Sequence, residues 1–353
     1  MAIATILLLL VCILDITTAV APIIGILSHP YHLSNDTNTE YIASSYVKWL
    51  ESAGASSIPI PYHASPSLLQ DILSQVDGVL FPGGSAPITP TARTIWKLAK
   101  ERNQKQDVFP MWGTCLGFQY MLMMAAEQDE SLLKQDYDAE NFAWPLLFPT
   151  EDNVVNSHGV YSIQSQLYNT SQLRYNLQEF NMTFNAHKKG LQPQTFVQNS
   201  KLADMFYITS TNYDAQMQPF VSTMEAKDYP FYGVQYHPEK NNFEYGFQPD
   251  KHDVRRPYED IPHSMESVQL SLHLALFFVN LARNNHGRYS KIDEYPPIYT
   301  YPMVRGGGKF EHVYLVPSAE HWEPDGMEPE LPPLHNKNSL LRGGNTLLTE
   351  AIA

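Results

Sequence analysis

Cysteine is scarce in this chain: 353 residues hold only two, Cys12 and Cys115. If the amino-terminal stretch is removed, one thiol is left and no intramolecular disulfide can form, so a disulfide-stapled scaffold is excluded. Basic residues are also few, 23 Lys and Arg against 37 Asp and Glu, which gives a formal net charge of −14. Binding to a phosphate backbone needs clustered cations, and their lack argues against a nucleic-acid partner. No internal repeat and no P-loop is evident. The longest apolar run near the start, 6–14, is cut by Asp15 and falls short of the roughly 20 residues of a membrane span.

That run is followed by small residues, Thr17-Thr18-Ala19-Val20-Ala21, the layout of a cleaved secretory signal over 1–21, although no Lys or Arg precedes it. Acceptor triplets begin at Asn35, Asn169 and Asn181, as in a secreted glycoprotein. No stable membrane insertion is expected once the signal is gone. A lone thiol in an oxidising compartment is unusual, and it marks Cys115 as reactive or intermolecular.

Length and a hydrophobic content of 43% allow one large domain, placed at 22–316. Buried strands are predicted at 22–27, 57–60 and 78–81, and helices at 41–53, 68–75 and 91–102. Continuous apolar strands alternating with helices indicate an α/β fold, a mostly parallel sheet with helices on both faces. Ligands gather at the carboxyl ends of such strands. From 130 to 218 the pattern is irregular and favours strands over long helices. A strand pair is predicted at 221–225 and 231–236, then a long helix at 265–284 with Val268, Leu272, Leu276 and Val279 on one stripe. From 317 the Pro-, Glu-, Gly- and Asn-rich composition predicts a flexible tail.

The chemistry centres on Gly113-Thr114-Cys115-Leu116-Gly117, between an apolar run and a helix predicted at 118–127. Glycines around a nucleophile allow the tight strand-to-helix turn of a nucleophile elbow. A sulfur at a helix amino terminus is favoured as thiolate, its reactive form. A buried, inert cysteine fits the same five residues. A cysteine nucleophile needs a base, and a histidine held by a carboxylate is the usual one. His237 lies where Pro238 stops a strand, and Glu239 two residues on would share its face in an extended segment.

These residues carry a resemblance. Phe81-Pro82-Gly83-Gly84, Trp112-Gly113-Thr114-Cys115-Leu116-Gly117-Phe118 and Tyr232-Gly233-Val234-Gln235-Tyr236-His237-Pro238-Glu239-Lys240 resemble, in order and spacing, the class I glutamine amidotransferase superfamily, and more narrowly the gamma-glutamyl hydrolases. Pro22-Ile23-Ile24-Gly25-Ile26-Leu27, Tyr41-Ile42-Ala43-Ser44-Ser45-Tyr46-Val47-Lys48 and Phe277-Phe278-Val279-Asn280 extend it. The resemblance implies an amidotransferase-like, flavodoxin-like sheet with Cys115 as nucleophile, His237 as base and acid, and Glu239 as its orienting group. It further implies an oxyanion hole from the amides of Gly84 and Leu116, and substrate contacts from His187, Gly83 and Gln119. The expected reaction is hydrolysis of γ-glutamyl bonds, with folate polyglutamates as substrates, no metal or cofactor, and an extracellular or lysosomal (vacuolar) destination. Partners are then small γ-glutamyl peptides, with a homodimer left open.

Two positions depart from that pattern: Gln119 stands in place of a glutamate, and Tyr236 in place of a tryptophan. Two other functions use the same residues, the glutaminase half of an amidotransferase and a binding protein that has lost activity. The secretory signal and the joint presence of Cys115, His237 and Glu239 disfavour them.

Overall fold

The computed structural model describes residues 21–31, 38–248, 256–285, 289–306 and 309–322. Nearly all of the expected signal, the acceptor triplet at Asn35 and the tail after 322 lie outside these residues. The first half runs β1 (Ile23–Leu27), β2 (His29–Pro30), β3 (Thr39–Ala43), α1 (Ser44–Ser52), β4 (Ser56–Ile60), α2 (Pro66–Gln75), β5 (Gly78–Phe81), α3 (Pro90–Gln104), β6 (Met111–Thr114) and α4 (Leu116–Ala126). The middle holds β7 (Ala139–Trp144), α5 (Glu151–Asn156), α6 (Ser171–Glu179), β8 (Thr183–His187), α7 (Pro193–Gln198) and α8 (Ser200–Met205). Then come β9 (Phe206–Tyr213), β10 (Pro219–Ala226), β11 (Phe231–Val234), α9 (Lys240–Phe243), α10 (Met265–Ala282), β12 (Met303–Arg305) and β13 (His312–Pro317). Helices α2 and α3 start where they should, with Ser65 and Thr89 as caps and a proline in the first turn of each.

Seven strands form the central sheet in the order β4-β1-β5-β6-β11-β10-β9. The first five are mutually parallel; β10 runs antiparallel to β11, and β9, antiparallel to β10, runs with the first five again. Alternation along each strand sorts its side chains to two cores. Ile23, Leu27, Val79, Phe81 and Met111 join α2, α3 and α4 on one face, while Ile24, Ile26, Leu80 and Trp112 join α1 and α10 on the other. This is the expected class, with helices on both faces. Two small sheets, β12-β13-β3-β2 and β7-β8, flank it.

Three sequence expectations need correction. Residues 41–43 belong to β3, not to the helix, because β13 pairs with them from far along the chain, Tyr314 opposite Ile42 and Leu315 opposite Tyr41. The buried stripe of α10 is Leu270, Leu274, Ala275, Phe278, Val279 and Ala282, whereas Leu272 and Leu276 are 37% and 40% exposed. Two apolar stripes wind around this helix, and packing on α1 selects one of them. Finally, 317–322 are not tail: Pro317 pairs with Thr39, and Trp322 stacks on Tyr295 at 6.2 Å between ring centroids. In the middle region, as expected, no described helix exceeds nine residues.

Candidate active site

Strands β5, β6 and β11 are neighbours and parallel, so the segments that leave their carboxyl ends converge. They carry Gly83-Gly84, Cys115 and His237. Cys115 has φ 50° and ψ −104°, a left-handed backbone that costs a side-chain-bearing residue on the order of 1–3 kcal/mol. Neighbours hold it there: its N–H donates to the Val234 carbonyl at 2.9 Å, and the Gly117 N–H donates to the Pro82 carbonyl at 3.1 Å. A Cβ at Gly117 would overlap the Phe81 carbonyl oxygen, so only glycine lets the turn seat on the end of β5.

His237 is tied down by its N–H, which donates to the Phe184 carbonyl at 2.8 Å. Its Nδ1 lies 2.8 Å from Glu239 Oε1, which leaves Nε2 for the hydrogen bond to the Cys115 sulfur. The shared-face expectation for 237 and 239 is right about proximity and wrong about its cause. Glu239 is helical, φ −66° and ψ −25°, at the threshold of α9, and the turn after Pro238 swings its carboxylate to the ring. Burial works to lower the His237 pKa, but the Glu239 carboxylate and the Cys115 sulfur outweigh it and hold the pKa at about 9. The group is therefore an imidazolium at neutral pH, ready to pair with a thiolate.

Gly83 packs so tightly that a Cβ would fall 2.6 Å from His237 Cε1. Its N–H donates to the Tyr46 hydroxyl at 2.7 Å, and that hydroxyl lies 3.4 Å from His237 Nδ1. The amides of Gly83 and Gly117 are thus both committed to partners within the fold. The Gly84 Cα rests on the His29 ring, and the loop beyond is anchored by Tyr120, whose hydroxyl donates to the carbonyls of Ala86 and Pro87 at 2.8 and 2.9 Å.

His187 and Gln119 also reach this site, from β8 and α4. His187 Nδ1 lies 3.0 Å from the Lys189 carbonyl, so it carries the proton, and Nε2 is a buried acceptor without a partner. Burial, with a smaller contribution from nearby His237 and against the Lys189 carbonyl, lowers the pKa of His187 to about 3, so the ring is neutral. Gln119 Nε2 donates to the same Lys189 carbonyl at 2.8 Å and to Gln235 Oε1 at 3.2 Å. This accounts for the amide at 119: a carboxylate would face a carbonyl oxygen with no proton between them. Gln119→Glu is expected to cost on the order of 1–3 kcal/mol of stability, read as a lower Tm at pH 7. An unchanged Tm would sink that account. Tyr236 is accommodated too, its hydroxyl 2.6 Å from that of Tyr168 within the core.

The sequence did not reveal Tyr46 or His29. Tyr46 reads as one more apolar position of a helix, though a buried tyrosine always needs a partner for its hydroxyl, and that was the available signal. His29 follows a strand with nothing to set it apart. Burial holds its pKa at about 4, partly offset by the backbone of Pro82 and Gly83, so it is a neutral buttress.

A thiol hydrogen-bonded to a carboxylate-held imidazole, at the carboxyl edge of a mostly parallel sheet, defines a cysteine-nucleophile hydrolase on an α/β fold. Residues 22–239 match the family described as peptidase C26, and the chain belongs to that family. It is 35% identical to gamma-glutamyl hydrolase 1 of Arabidopsis thaliana, over 83% of this chain and 82% of that protein. It is likewise 35% identical to gamma-glutamyl hydrolase of Homo sapiens, over 84% and 90%. Gamma-glutamyl hydrolase B of Dictyostelium discoideum is 32% identical, over 83% and 82%.

Proposed function

We infer that this protein hydrolyses γ-glutamyl bonds through a thioester on Cys115. The observation that carries this is the buried Cys115–His237–Glu239 constellation, and the names of the relatives above support the bond. The thiolate attacks the γ-carbonyl, and the amides of Gly84 and Leu116 receive the negative charge that develops on its oxygen. The tetrahedral centre collapses, and the His237 imidazolium gives its proton to the departing nitrogen. The neutral ring then takes a proton from water, which attacks the thioester and frees Cys115. Glu239 keeps the ring oriented and its charge balanced. His187, with an open acceptor beside this centre, and Gly83 and Gln119 fit as substrate contacts or their supports.

In a γ-linked glutamate chain the attacked carbonyl is the one glutamine presents, and only the leaving nitrogen carries more. Folate polyglutamates are the substrates we propose. The expected result is cleavage of γ-linked diglutamate with little or no cleavage of the α-linked isomer, measured as kcat/KM with resolved products. Equal rates on both, or much faster deamidation of free glutamine, would overturn the reading. We also propose export, to the extracellular space or the lysosome (vacuole). Its support is the apolar segment 6–14 and the exposure of Asn169 and Asn181. Amino-terminal sequencing of the mature protein and a glycosidase-induced mass shift test this.

A further inference from the structure

The loop that leaves β5 carries Gly83 and Gly84, and side chains from four separate parts of the chain meet it. The Tyr46 hydroxyl, from α1, accepts the Gly83 N–H at 2.7 Å. Tyr62, just beyond β4, and Tyr120, from α4, both donate their hydroxyls to the Pro87 carbonyl. Hydrogen bonds thus fix the loop at its start and at its end. Between them Gly84 meets the His29 ring: a Cβ at 84 would fall 2.9 Å from both Cδ2 and Nε2 of that ring.

His29 is itself held from behind. It is 3% exposed on β2, opposite Tyr41 of β3, with the Tyr41 and Tyr62 rings centred 6.0 and 6.1 Å away. Beside it Ser28 donates to the buried Glu40 carboxylate, which also accepts the Tyr62 N–H at 2.8 Å. A ring enclosed in this way cannot yield to the loop unless strands move with it. The backbone at Gly84 is not left-handed, for only Gly54 and Gly159 among the described glycines have a positive φ. What calls for glycine at 84 is the ring, not φ. Loop and ring are two surfaces fitted to each other.

We propose that His29 is a positioning residue: its ring and the bare Cα of Gly84 form a seat that turns the Gly84 N–H toward the attacked carbonyl oxygen. This rests on the γ-glutamyl reading given above, in which that amide receives the developing charge. A donor to an oxyanion acts through its geometry, and one turned aside loses most of its value. The ring is neutral, so it acts by shape and not by charge.

The test is a double-mutant cycle on the full chain with γ-linked diglutamate as substrate. His29→Ala empties the seat, and Gly84→Ala forces a methyl group against the ring. Each is expected to lower kcat about tenfold to a hundredfold, less than outright loss of an oxyanion donor, with KM within about twofold. In the double variant the methyl group enters the space the ring left, so the loss should be about tenfold smaller than the product of the two single losses. Affinity for N-acetylglutamate γ-semialdehyde, to whose aldehyde carbon the sulfur adds so that the oxygen takes the place of the developing anion, should follow kcat across the series. Alkylation of Cys115 by iodoacetamide needs the thiolate but no such donor, and its rate should stay within about twofold. Losses that simply multiply, an unchanged kcat in His29→Ala, or alkylation that falls in step with kcat would each overturn the proposal. Should His29→Ala fail to fold, His29→Gln replaces it in the cycle under the same criteria. A wild-type chain that leaves γ-linked diglutamate uncleaved defeats the γ-glutamyl reading instead. The semialdehyde, which needs no turnover, then decides on His29, and no affinity for it in wild type overturns the seat as well.

Discussion

Alanine in place of Cys115 is expected to lower kcat by about 10⁴- to 10⁶-fold, the loss seen when a covalent nucleophile is removed from a catalytic unit. A methyl group cannot form the thioester, and the Tyr46 hydroxyl near His237 faces Nδ1, not Nε2, and already accepts the Gly83 N–H. The fold should stand, because alanine meets the same left-handed backbone at the same cost as cysteine, and the bonds that hold the turn are main-chain. A second consequence is measurable without substrate. The sulfur is one of the groups that raise the His237 pKa, so in Cys115→Ala the imidazole should titrate below about 9, as followed by NMR. Residual turnover above about a thousandth of wild type would remove Cys115 from the mechanism.

Glu239→Gln should be the next most severe change, with kcat down by about 10²- to 10⁴-fold, comparable to neutralising the carboxylate of a triad. The amide oxygen can still accept from Nδ1, so geometry is kept and charge is lost. Burial then acts on His237 against the Cys115 contribution alone, and its pKa falls. The sign for activity follows. In wild type the imidazolium persists to about pH 9, and kcat/KM should fall as pH rises through that value. In Glu239→Gln the basic limb should move to lower pH. A limb that stays near pH 9 in the variant would show that Glu239 does not set the charge of His237.

What could be read from the sequence follows from how local each signal is. Strands β1, β4 and β5 are short apolar runs buried on both faces, and Cys115 sits between glycines that the turn requires, so both were legible. The resemblance added Gly84, Leu116 and His187, which no local pattern marks. Residues 41–43 misled because their partner strand, β13, is some 270 residues away, and helical spacing continued through them. In α10 periodicity alone could not choose between two apolar stripes. Tyr46 and His29 act as single residues placed by long-range packing, and a single residue has no period. Trp322 was hidden by the composition of the stretch around it.

The position of β11 has a consequence for how the molecule comes into being. It fills the place beside β6 in the middle of the sheet, yet it is made more than a hundred residues later. Such a pairing closes a long loop and comes slowly. Until it closes, the Val234 carbonyl is not there to hold the Cys115 N–H, and His237 and Glu239 are not there at all. A nascent or half-refolded chain is therefore inert, and regain of turnover should track the last step of sheet assembly, not the collapse that precedes it.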